Sequence, residues 1–301
     1  MDWPLRSLLF VPAHRTDFVE KSIRFQPDAV ILDIEDSVPP DHKPAARALV
    51  PAAAKLLRAA GIVPTVRINP LPEGGREDVA VAACEGMAAV ILPKADSAAE
   101  IAELHDLLSY HEGRAGLAHG TIAILPLPET ARGLRHGHDL AQASRRVRGL
   151  FGALGGPVAG DIARAFGFLP TLGGEEQRYM NSKIVLDSRA ADADFPVAGI
   201  IGTAIDDLAS VEAMVRRAKE MGYTGACLIH PSHVEIANRI FRPTAEEVAI
   251  CEGMLAAFAE AEASGLGAVR YRGSMVDYAM LPPARAVIQE AARLAARGIS
   301  I

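Results

Sequence analysis

The chain has 301 residues, half of them hydrophobic, with 26 glycines and only 5% aromatic residues. This length suffices for one large core, and the composition favours helices packed over a parallel sheet rather than a β-sandwich. The formal net charge is −6 and no basic cluster is present, which argues against a nucleic-acid partner. No segment has the length of a signal peptide or a membrane span, so we expect a cytoplasmic protein with no membrane partner.

Three widely spaced cysteines, Cys84, Cys227 and Cys251, form no CxxC pair. The sequence therefore predicts neither a cysteine zinc site nor a disulfide framework. Cys227 lies in an apolar run and is expected in the core rather than in a catalytic role.

Short apolar runs recur along the chain, with helical segments between them. The eight runs are residues 7–11, 29–34, 63–68, 88–92, 121–125, 147–154, 197–201 and 226–229. They are typical of parallel strands that are covered on both faces. Between them, Ser97 and Glu100 form a capping box, which predicts a helix start. Eight alternations predict a TIM (β/α)8 barrel over residues 1–240, and the lack of a GxGxxG motif disfavours a dinucleotide-binding sheet.

The pattern changes after the eighth strand. A capping box of Thr244 and Glu247 predicts another helix, residues 271–277 are expected to form a loop, and an alanine-rich helix follows through Ala296. This tail is too long to be the eighth barrel helix alone. We therefore expect residues 241–301 to be a C-terminal helical lid and oligomerisation segment.

Polar residues follow most of the predicted strands at their C-terminal ends. They are Asp33, Glu35 and Asp36 after strand two, Arg67 after strand three, Lys94 after strand four, Glu129 after strand five, Asp161 after strand six and His230 after strand eight. In a (β/α)8 barrel these ends meet at one mouth, which is where such barrels place their chemistry. The sequence therefore predicts an active site built from these residues.

Glu129 and Asp161 have no histidine or cysteine companions, a pattern that points to a hard cation such as Mg²⁺. Arg67 is suited to neutralise a substrate carboxylate or a developing enolate oxygen. Taken singly, each residue also fits an ion pair at the barrel rim, and that interpretation is favoured for Lys94 and Asp33. For His230 a structural hydrogen bond and a substrate contact are equally compatible with the sequence.

At this point the chain resembles the citrate lyase β-subunit family, which is grouped with the HpcH/HpaI aldolases. The resemblance runs in order over nearly the whole chain, through RSLLFVP at 6–12, ILDIEDSV at 31–38, VRIN at 66–69, ILPK at 91–94, PETARG at 128–133, D-x5-G at 161–167, IHP at 229–231 and GSMVD at 273–277. It implies a TIM barrel with a C-terminal lid, assembled as a homotrimer or hexamer. It also implies magnesium-dependent cleavage or formation of carbon–carbon bonds next to acyl-CoA thioesters.

The resemblance also assigns roles to individual residues. It implies that Glu129 and Asp161 are metal ligands and that Arg67 binds the oxoacid. Glu35 matches a family acid that lies near the metal through water. Asp277 matches a lid aspartate that reaches the site of a neighbouring subunit as acid or base.

Arg15 and Lys21 match positions that contact the phosphates of CoA in the family.

The leading hypothesis is thus a lyase that uses Mg²⁺, or alternatively Mn²⁺. It would cleave or form a 3-hydroxy-acyl-CoA such as malyl-CoA or citramalyl-CoA, and cleavage would give a 2-oxoacid and an acyl-CoA. One alternative is an aldolase that acts on free 2-oxoacids without CoA. Another is a subunit of a citrate lyase complex that acts on an acyl-carrier protein. A catalytically silent barrel is disfavoured by the intact charged set.

Overall fold

The computed structural model describes residues 3–155, 160–171, 173–201 and 205–301. Two compact units are present, one that extends to Arg239 and one that comprises Ile240–Ile301. No helix within the described ranges is long and apolar enough to cross a membrane.

The first unit is built around parallel strands that alternate with helices. Its strands are β1 Ser7–Pro12, β2 Ala29–Asp33, β3 Val63–Arg67, β4 Ala89–Leu92, β5 Ala123–Pro126, β6 Phe151–Gly155, β7 Val197–Ile201 and β8 Gly225–Leu228. Neighbours in the sheet follow the order β5-β4-β3-β2-β1-β8-β7-β6. Consecutive strands are therefore adjacent, and β1 pairs with both β2 and β8, as in a barrel.

The remaining gap, between β5 and β6, is bridged by the residues that precede β6. Ile124 and Val147 form a parallel bridge. The Ile124 N–H donates to the Arg146 carbonyl at 2.9 Å, and the Arg148 N–H donates to the Ile124 carbonyl at 3.2 Å. The predicted TIM (β/α)8 barrel is confirmed, with a single bridge at the seam between β5 and β6.

Helices surround the sheet in the first unit and dominate the second. They are α1 Thr16–Ser22, α2 Lys43–Ala59, α3 Gly75–Ala82, α4 Ala98–Arg114, α5 Ala131–Arg135, α6 Gly137–Gln142, α7 Asp161–Phe166, α8 Arg178–Ala190, α9 Leu208–Glu220, α10 Val234–Phe241, α11 Ala245–Ala263 and α12 Leu281–Ala296. The capping boxes predicted at Ser97 and at Thr244 are confirmed at the starts of α4 and α11.

Side chains from different strands fill the barrel interior. Leu8, Ile31, Ile91, Leu125 and Cys227 are buried and belong to one hydrophobic cluster. The predicted core position of Cys227 is confirmed. Because apolar side chains fill the interior, the charged residues at the strand ends lie above a packed core rather than a pore.

The second unit corrects one prediction. Residues 271–277 are not a loop: β9 Ala268–Tyr271 and β10 Ser274–Asp277 form an antiparallel hairpin. Arg272 and Gly273, at φ of 46° and 88°, make the two-residue turn, which suits a tight hairpin because both residues adopt the left-handed conformation. Val276 is buried in a small cluster with Phe258 and Leu281, so the hairpin is anchored within its own unit.

Candidate active site

The parallel register of β2 and β3 places a carboxylate opposite a guanidinium. Asp33 and Arg67 are the last residues of their strands and are direct partners across the ladder. Arg67 Nε donates to Asp33 Oδ1 at 2.7 Å and Nη2 donates to Oδ2 at 2.6 Å, which makes a bidentate pair. The Asp33 side chain is 1% exposed and that of Arg67 is 13% exposed. The pair thus fixes the guanidinium while leaving part of it accessible.

Two further groups surround the Arg67 guanidinium. Its Nη1 lies 2.9 Å from Glu35 Oε2, and its Cζ lies 4.7 Å from the centre of the Phe10 ring. Burial by itself lowers the pKa of Arg67, but the hydrogen bonds and charge of Asp33 and the charge of Glu35 outweigh it, and the net pKa is raised. Burial also opposes ionisation of Asp33, yet the Arg67 hydrogen bonds leave the pKa of Asp33 lowered. Both groups therefore stay charged.

Glu35 is a buried carboxylate held between two cations. Lys94 Nζ donates to Glu35 Oε1 at 2.5 Å, while Arg67 approaches the other oxygen. Glu35 Oε2 is buried and, apart from this ion pair, has no hydrogen-bond partner among the described residues. Burial raises the pKa of Glu35 even though both cations oppose the rise. Glu35 Oε2 therefore has hydrogen-bonding capacity that the described residues do not use.

Glu129 follows β5, and its pKa is strongly raised. Its Oε1 accepts a hydrogen bond from the Lys94 backbone N–H at 3.2 Å. Burial, followed by repulsion from Glu35 and then from Asp161, raises the pKa of Glu129 to about 7. Asp161 begins α7, and its Oδ1 forms an ion pair with Arg164 one turn later. The structure therefore brings Glu35, Glu129 and Asp161 into one electrostatically coupled cluster.

The donor set of this cluster fits a hard divalent cation. Glu35, Glu129 and Asp161 offer only carboxylate oxygens, and burial together with the charges of the other two carboxylates disfavours ionisation of Glu129. Within the described residues, no group of three or more His, Cys, Asp or Glu side chains is arranged to hold a metal by itself. Mg²⁺ commonly uses one or two carboxylates and completes its shell with water and substrate oxygens. The roles of Glu129 and Asp161 as metal ligands stay a prediction.

Arg15 directly precedes α1 and Lys21 lies on that helix, and both bind the same carboxylate. Arg15 Nε and Lys21 Nζ both bind Asp17, at 3.0 and 3.3 Å, and the Arg15 Cζ lies 3.8 Å from the centre of the Phe18 ring. The Arg15 hydrogen bond lowers the pKa of Asp17 to about 2. In the part of the chain that the structure describes, no hydrogen bond or ion pair joins Arg15 or Lys21 to Glu35, and their role in CoA binding stays a prediction.

Asp277 and His230 make local contacts. Asp277 ends β10 in the second unit, where its Oδ1 accepts the Ala279 N–H at 3.0 Å. His230 follows β8, and its Nδ1 lies 2.7 Å from Ser232 Oγ while accepting the Ser232 N–H at 3.3 Å. His230 thus forms a structural hydrogen bond, which was one of the two roles compatible with the sequence.

Asp33, Lys94 and Phe10 lie around Arg67 and Glu35, but the sequence assigned none of them a catalytic or metal-binding role. Asp33 and Lys94 were interpreted as rim ion pairs, and Phe10 was not singled out. The pairing of strand ends would have indicated Asp33, since it aligns with Arg67 once β2 and β3 are in register. No sequence signal predicts the left-handed conformation of Lys94, with φ of 50°.

The chain is similar to known proteins over nearly its whole length. The family model of the HpcH/HpaI aldolase/citrate lyase family matches residues 6–231. A citrate lyase subunit beta-like protein of Deinococcus radiodurans is 31% identical over 297 residues, covering 96% of this chain and 98% of that protein. An L-malyl-CoA/beta-methylmalyl-CoA lyase of Cereibacter sphaeroides is 31% identical over 314 residues, covering 97% of this chain and 96% of that protein.

A solved structure is also similar over nearly the whole chain. The protein CitE from Mycobacterium tuberculosis, in complex with magnesium, acetoacetate and coenzyme A, has a TM-score of 0.74 and 26% sequence identity, and the match covers 97% of this chain and 100% of that chain. The family match spans the barrel and every strand end that carries a charged residue of the site. The chain therefore belongs to the HpcH/HpaI aldolase/citrate lyase family.

Proposed function

We propose that the protein is a magnesium-dependent carbon–carbon lyase that cleaves or forms a 3-hydroxy-acyl-CoA such as malyl-CoA or citramalyl-CoA. The products of cleavage are a 2-oxoacid, glyoxylate or pyruvate, and an acyl-CoA. The observation that carries the proposal is the partly accessible Arg67 guanidinium beside three coupled carboxylates at the barrel mouth. The similarity to a malyl-CoA lyase and to a magnesium- and CoA-bound structure supports it.

In the cleavage direction the substrate hydroxyl loses a proton, the adjacent carbon–carbon bond breaks, and the hydroxyl carbon becomes the carbonyl of the 2-oxoacid. The electron pair of the broken bond forms a thioester enolate, which must take up one proton at carbon. Glu129 and Asp161 would hold Mg²⁺, which would act as a Lewis acid and polarise the oxygen atoms of the oxoacid. Arg67 stabilises negative charge on the oxoacid or the enolate, and it is pre-oriented for this by Asp33.

Proton transfer is assigned to two carboxyl groups. Glu35 Oε2 is ion-paired with Arg67 but accepts no hydrogen bond from the described residues, and we assign it to accept a hydrogen bond from water or from the substrate hydroxyl. Asp277 of a neighbouring subunit exchanges a proton with the acyl carbon. A positioned carboxyl group of this kind contributes roughly 10²–10⁴-fold to the rate.

The remaining parts of the proposal concern the CoA moiety and the assembly. Arg15 and Lys21 contact the CoA phosphates, and both are exposed cations, Arg15 directly before α1 and Lys21 on it. The protein works in the cytoplasm as a homotrimer or hexamer, with residues 241–301 as lid and oligomerisation segment. Light scattering on the purified chain measures the assembly directly, and a monomer would contradict that part.

The test of the reaction is a substrate panel with the purified chain. We expect malyl-CoA or citramalyl-CoA to release glyoxylate or pyruvate in the presence of Mg²⁺. EDTA should abolish this activity, and Mg²⁺ or Mn²⁺ should restore it. Cleavage of free hydroxyacids without CoA would instead indicate the aldolase, and activity confined to an acyl-carrier thioester would indicate the complex subunit. Full activity in metal-free protein would contradict the metal dependence.

Arg67→Lys separates a substrate role from a structural one. A lysine ammonium cannot reproduce the two-pronged geometry of the guanidinium, so we expect kcat to fall by about 10²-fold while the fold is retained. Arg76→Lys is the control, because Arg76 forms an exposed ion pair with Glu103. Equal kinetics of the Arg67 and Arg76 variants would make Arg67 structural.

A further inference from the structure

Lys94 has a backbone conformation that its residue type disfavours. It follows β4 at φ of 50°, in the left-handed region, where a side chain with a Cβ is strained. Such residues persist only where several surrounding contacts hold them, and they cluster at functional sites. The contacts of Lys94 therefore indicate which function requires this strained conformation.

Both ends of Lys94 bind a carboxylate of the site. Its Nζ donates to Glu35 Oε1 at 2.5 Å, and its backbone N–H donates to Glu129 Oε1 at 3.2 Å. The two carboxylates come from different strand ends, β2 and β5, and they repel each other. One strained residue thus links two like charges that would otherwise move apart.

A rim ion pair does not explain this arrangement. Lys94 also lies 3.6 Å from Asp36 Oδ2, but Asp36 is 59% exposed and such a contact contributes little. Glu35 is instead 2% exposed, and its ion pair with Lys94 orients a buried oxygen next to Arg67. The same left-handed residue donates its backbone N–H to Glu129, a contact that neither ion pair accounts for.

We infer that Lys94 is a positioning residue with two separable functions: its ammonium fixes Glu35 beside Arg67, and its left-handed backbone fixes Glu129. The inference deepens the proposed function and rests on it, since Glu35 is the proposed proton-transfer group and Glu129 a proposed metal ligand. As part of this inference, the ion pair with Glu35 helps to hold the strained backbone, beside the hydrogen bond from the Ala95 N–H to the Leu127 carbonyl at 3.2 Å. Removal of the ammonium therefore releases the backbone as well, unless the new residue tolerates a positive φ.

Two substitutions separate the two functions. Lys94→Met removes the ammonium and keeps a Cβ, so the backbone is free to relax and the N–H leaves Glu129. Lys94→Gly also removes the ammonium, but glycine adopts a positive φ without strain, so the N–H stays on Glu129. Lys55→Met is the matched control, because Lys55 lies on the exposed face of α2.

The measurements are kcat and KM on the active CoA thioester and the Mg²⁺ dissociation constant by calorimetry without substrate. We expect kcat to fall at least about tenfold in both Lys94 variants, with little change in KM, because a misplaced group slows the chemical step. Mg²⁺ binding should weaken at least about tenfold in Lys94→Met and stay within about twofold of wild type in Lys94→Gly. Lys55→Met should match wild type in all three quantities.

Each contrary result would overturn one part of the inference. Wild-type kcat in Lys94→Met would show that the ammonium only forms a rim ion pair. Equal Mg²⁺ affinity in the methionine and glycine variants would overturn the backbone function. Lys94→Gln provides a second neutral variant if Lys94→Met fails to fold. If the wild-type protein cleaves no CoA thioester, the proposed function fails, while the Mg²⁺ contrast between the two variants still tests the backbone function.

Discussion

Glu129 illustrates how a carboxylate at a strand end acquires unusual acid–base behaviour. Burial and the charges of Glu35 and Asp161 raise its pKa to about 7, although Arg67 and Lys94 oppose the rise. Without a bound cation, Glu129 thus changes charge near neutral pH. A divalent cation would relieve the repulsion that raises this pKa, which couples metal binding to proton release.

The first prediction concerns the metal-free protein. The folded-state pKa of Glu129 lies above its ordinary value of 4.5. Its stabilising effect is therefore complete below pH 4.5 and is lost as the pH rises through 7, because the folded state binds more protons than the unfolded state in that window. We expect the free energy of unfolding to fall by up to about 3 kcal/mol between pH 4.5 and 8 from this group alone.

Thermal unfolding after removal of metal measures this effect. Glu129→Gln is the control, since the glutamine cannot titrate, and the variant should show a flatter dependence of Tm on pH. Added Mg²⁺ should raise Tm of the wild type more at pH 8 than at pH 5, because the proton competes with the cation. Identical pH slopes for wild type and Glu129→Gln would contradict the raised pKa.

At the residue scale, the sequence predicted which charged side chains come together but not how they pair. Glu35, Arg67, Glu129 and Asp161 were found because the ends of barrel strands converge. The partner of Arg67 depends on strand register, and register is set by contacts among strands rather than by the residues of one strand. The left-handed Lys94 depends on two carboxylates from other strands, so no local pattern predicts it.

At the scale of elements, a buried ion pair lies at the seam of the barrel. Arg146 donates from Nη1 and Nη2 to the two carboxylate oxygens of Glu112 in α4, at 2.8 and 2.7 Å, and both side chains are at most 2% exposed. Glu112 also accepts the N–H groups of Gly120 and Ile122 just before β5. The backbone of Arg146 pairs with Ile124 across the seam, so the ion pair joins α4 to the closure of the sheet.

The second prediction is that Glu112→Gln destabilises the fold by about 3–5 kcal/mol, because it leaves a buried guanidinium without its counter-charge. The double variant Glu112→Gln with Arg146→Met should recover part of this loss, since no uncompensated charge remains. Urea unfolding measures both. Arg189→Met, which breaks an exposed ion pair with Asp194, is the control and should change stability by less than about 1 kcal/mol.

A different order of stability among these variants would mean that the buried ion pair does not explain the stability of the seam. If Glu112→Gln resembles the Arg189 control, the ion pair is not what holds α4 to β5. If the double variant is no more stable than Glu112→Gln, the loss arises from hydrogen bonds to the loop before β5 rather than from the unpaired charge.

Elements were predicted well where the local signal is strong. Helix starts at Ser97 and Thr244 follow from side-chain caps that need only residues three apart. The hairpin of residues 268–277 was interpreted in part as a loop because its strands are short and partly exposed. Its turn depends on Arg272 adopting a left-handed conformation, which arginine rarely does. Burial of Val276 against Phe258 stabilises the hairpin, and that contact is not local.

At the scale of the whole molecule, the hairpin bears on the proposal of a site shared between subunits. Asp277 is not on an unanchored loop, since it ends β10 and its carboxylate binds the Ala279 N–H. Docking on a neighbouring subunit is therefore not needed to order this segment. The proposal that Asp277 serves a neighbouring subunit rests on the resemblance of GSMVD at 273–277 to the family motif.

The last prediction tests this proposal by mixing two inactive variants, Asp277→Asn and Arg67→Ala. Asparagine still accepts a hydrogen bond at the start of a helical turn, so the hairpin end should keep its structure. In a cyclic assembly with sites shared between neighbours, random mixing pairs an intact Arg67 with an intact Asp277 at about a quarter of the sites. We therefore expect mixed oligomers to recover activity toward that fraction. Subunit exchange is followed with two fluorescent labels, and exchange without any recovery would mean that Asp277 acts within its own chain or has no part in the reaction.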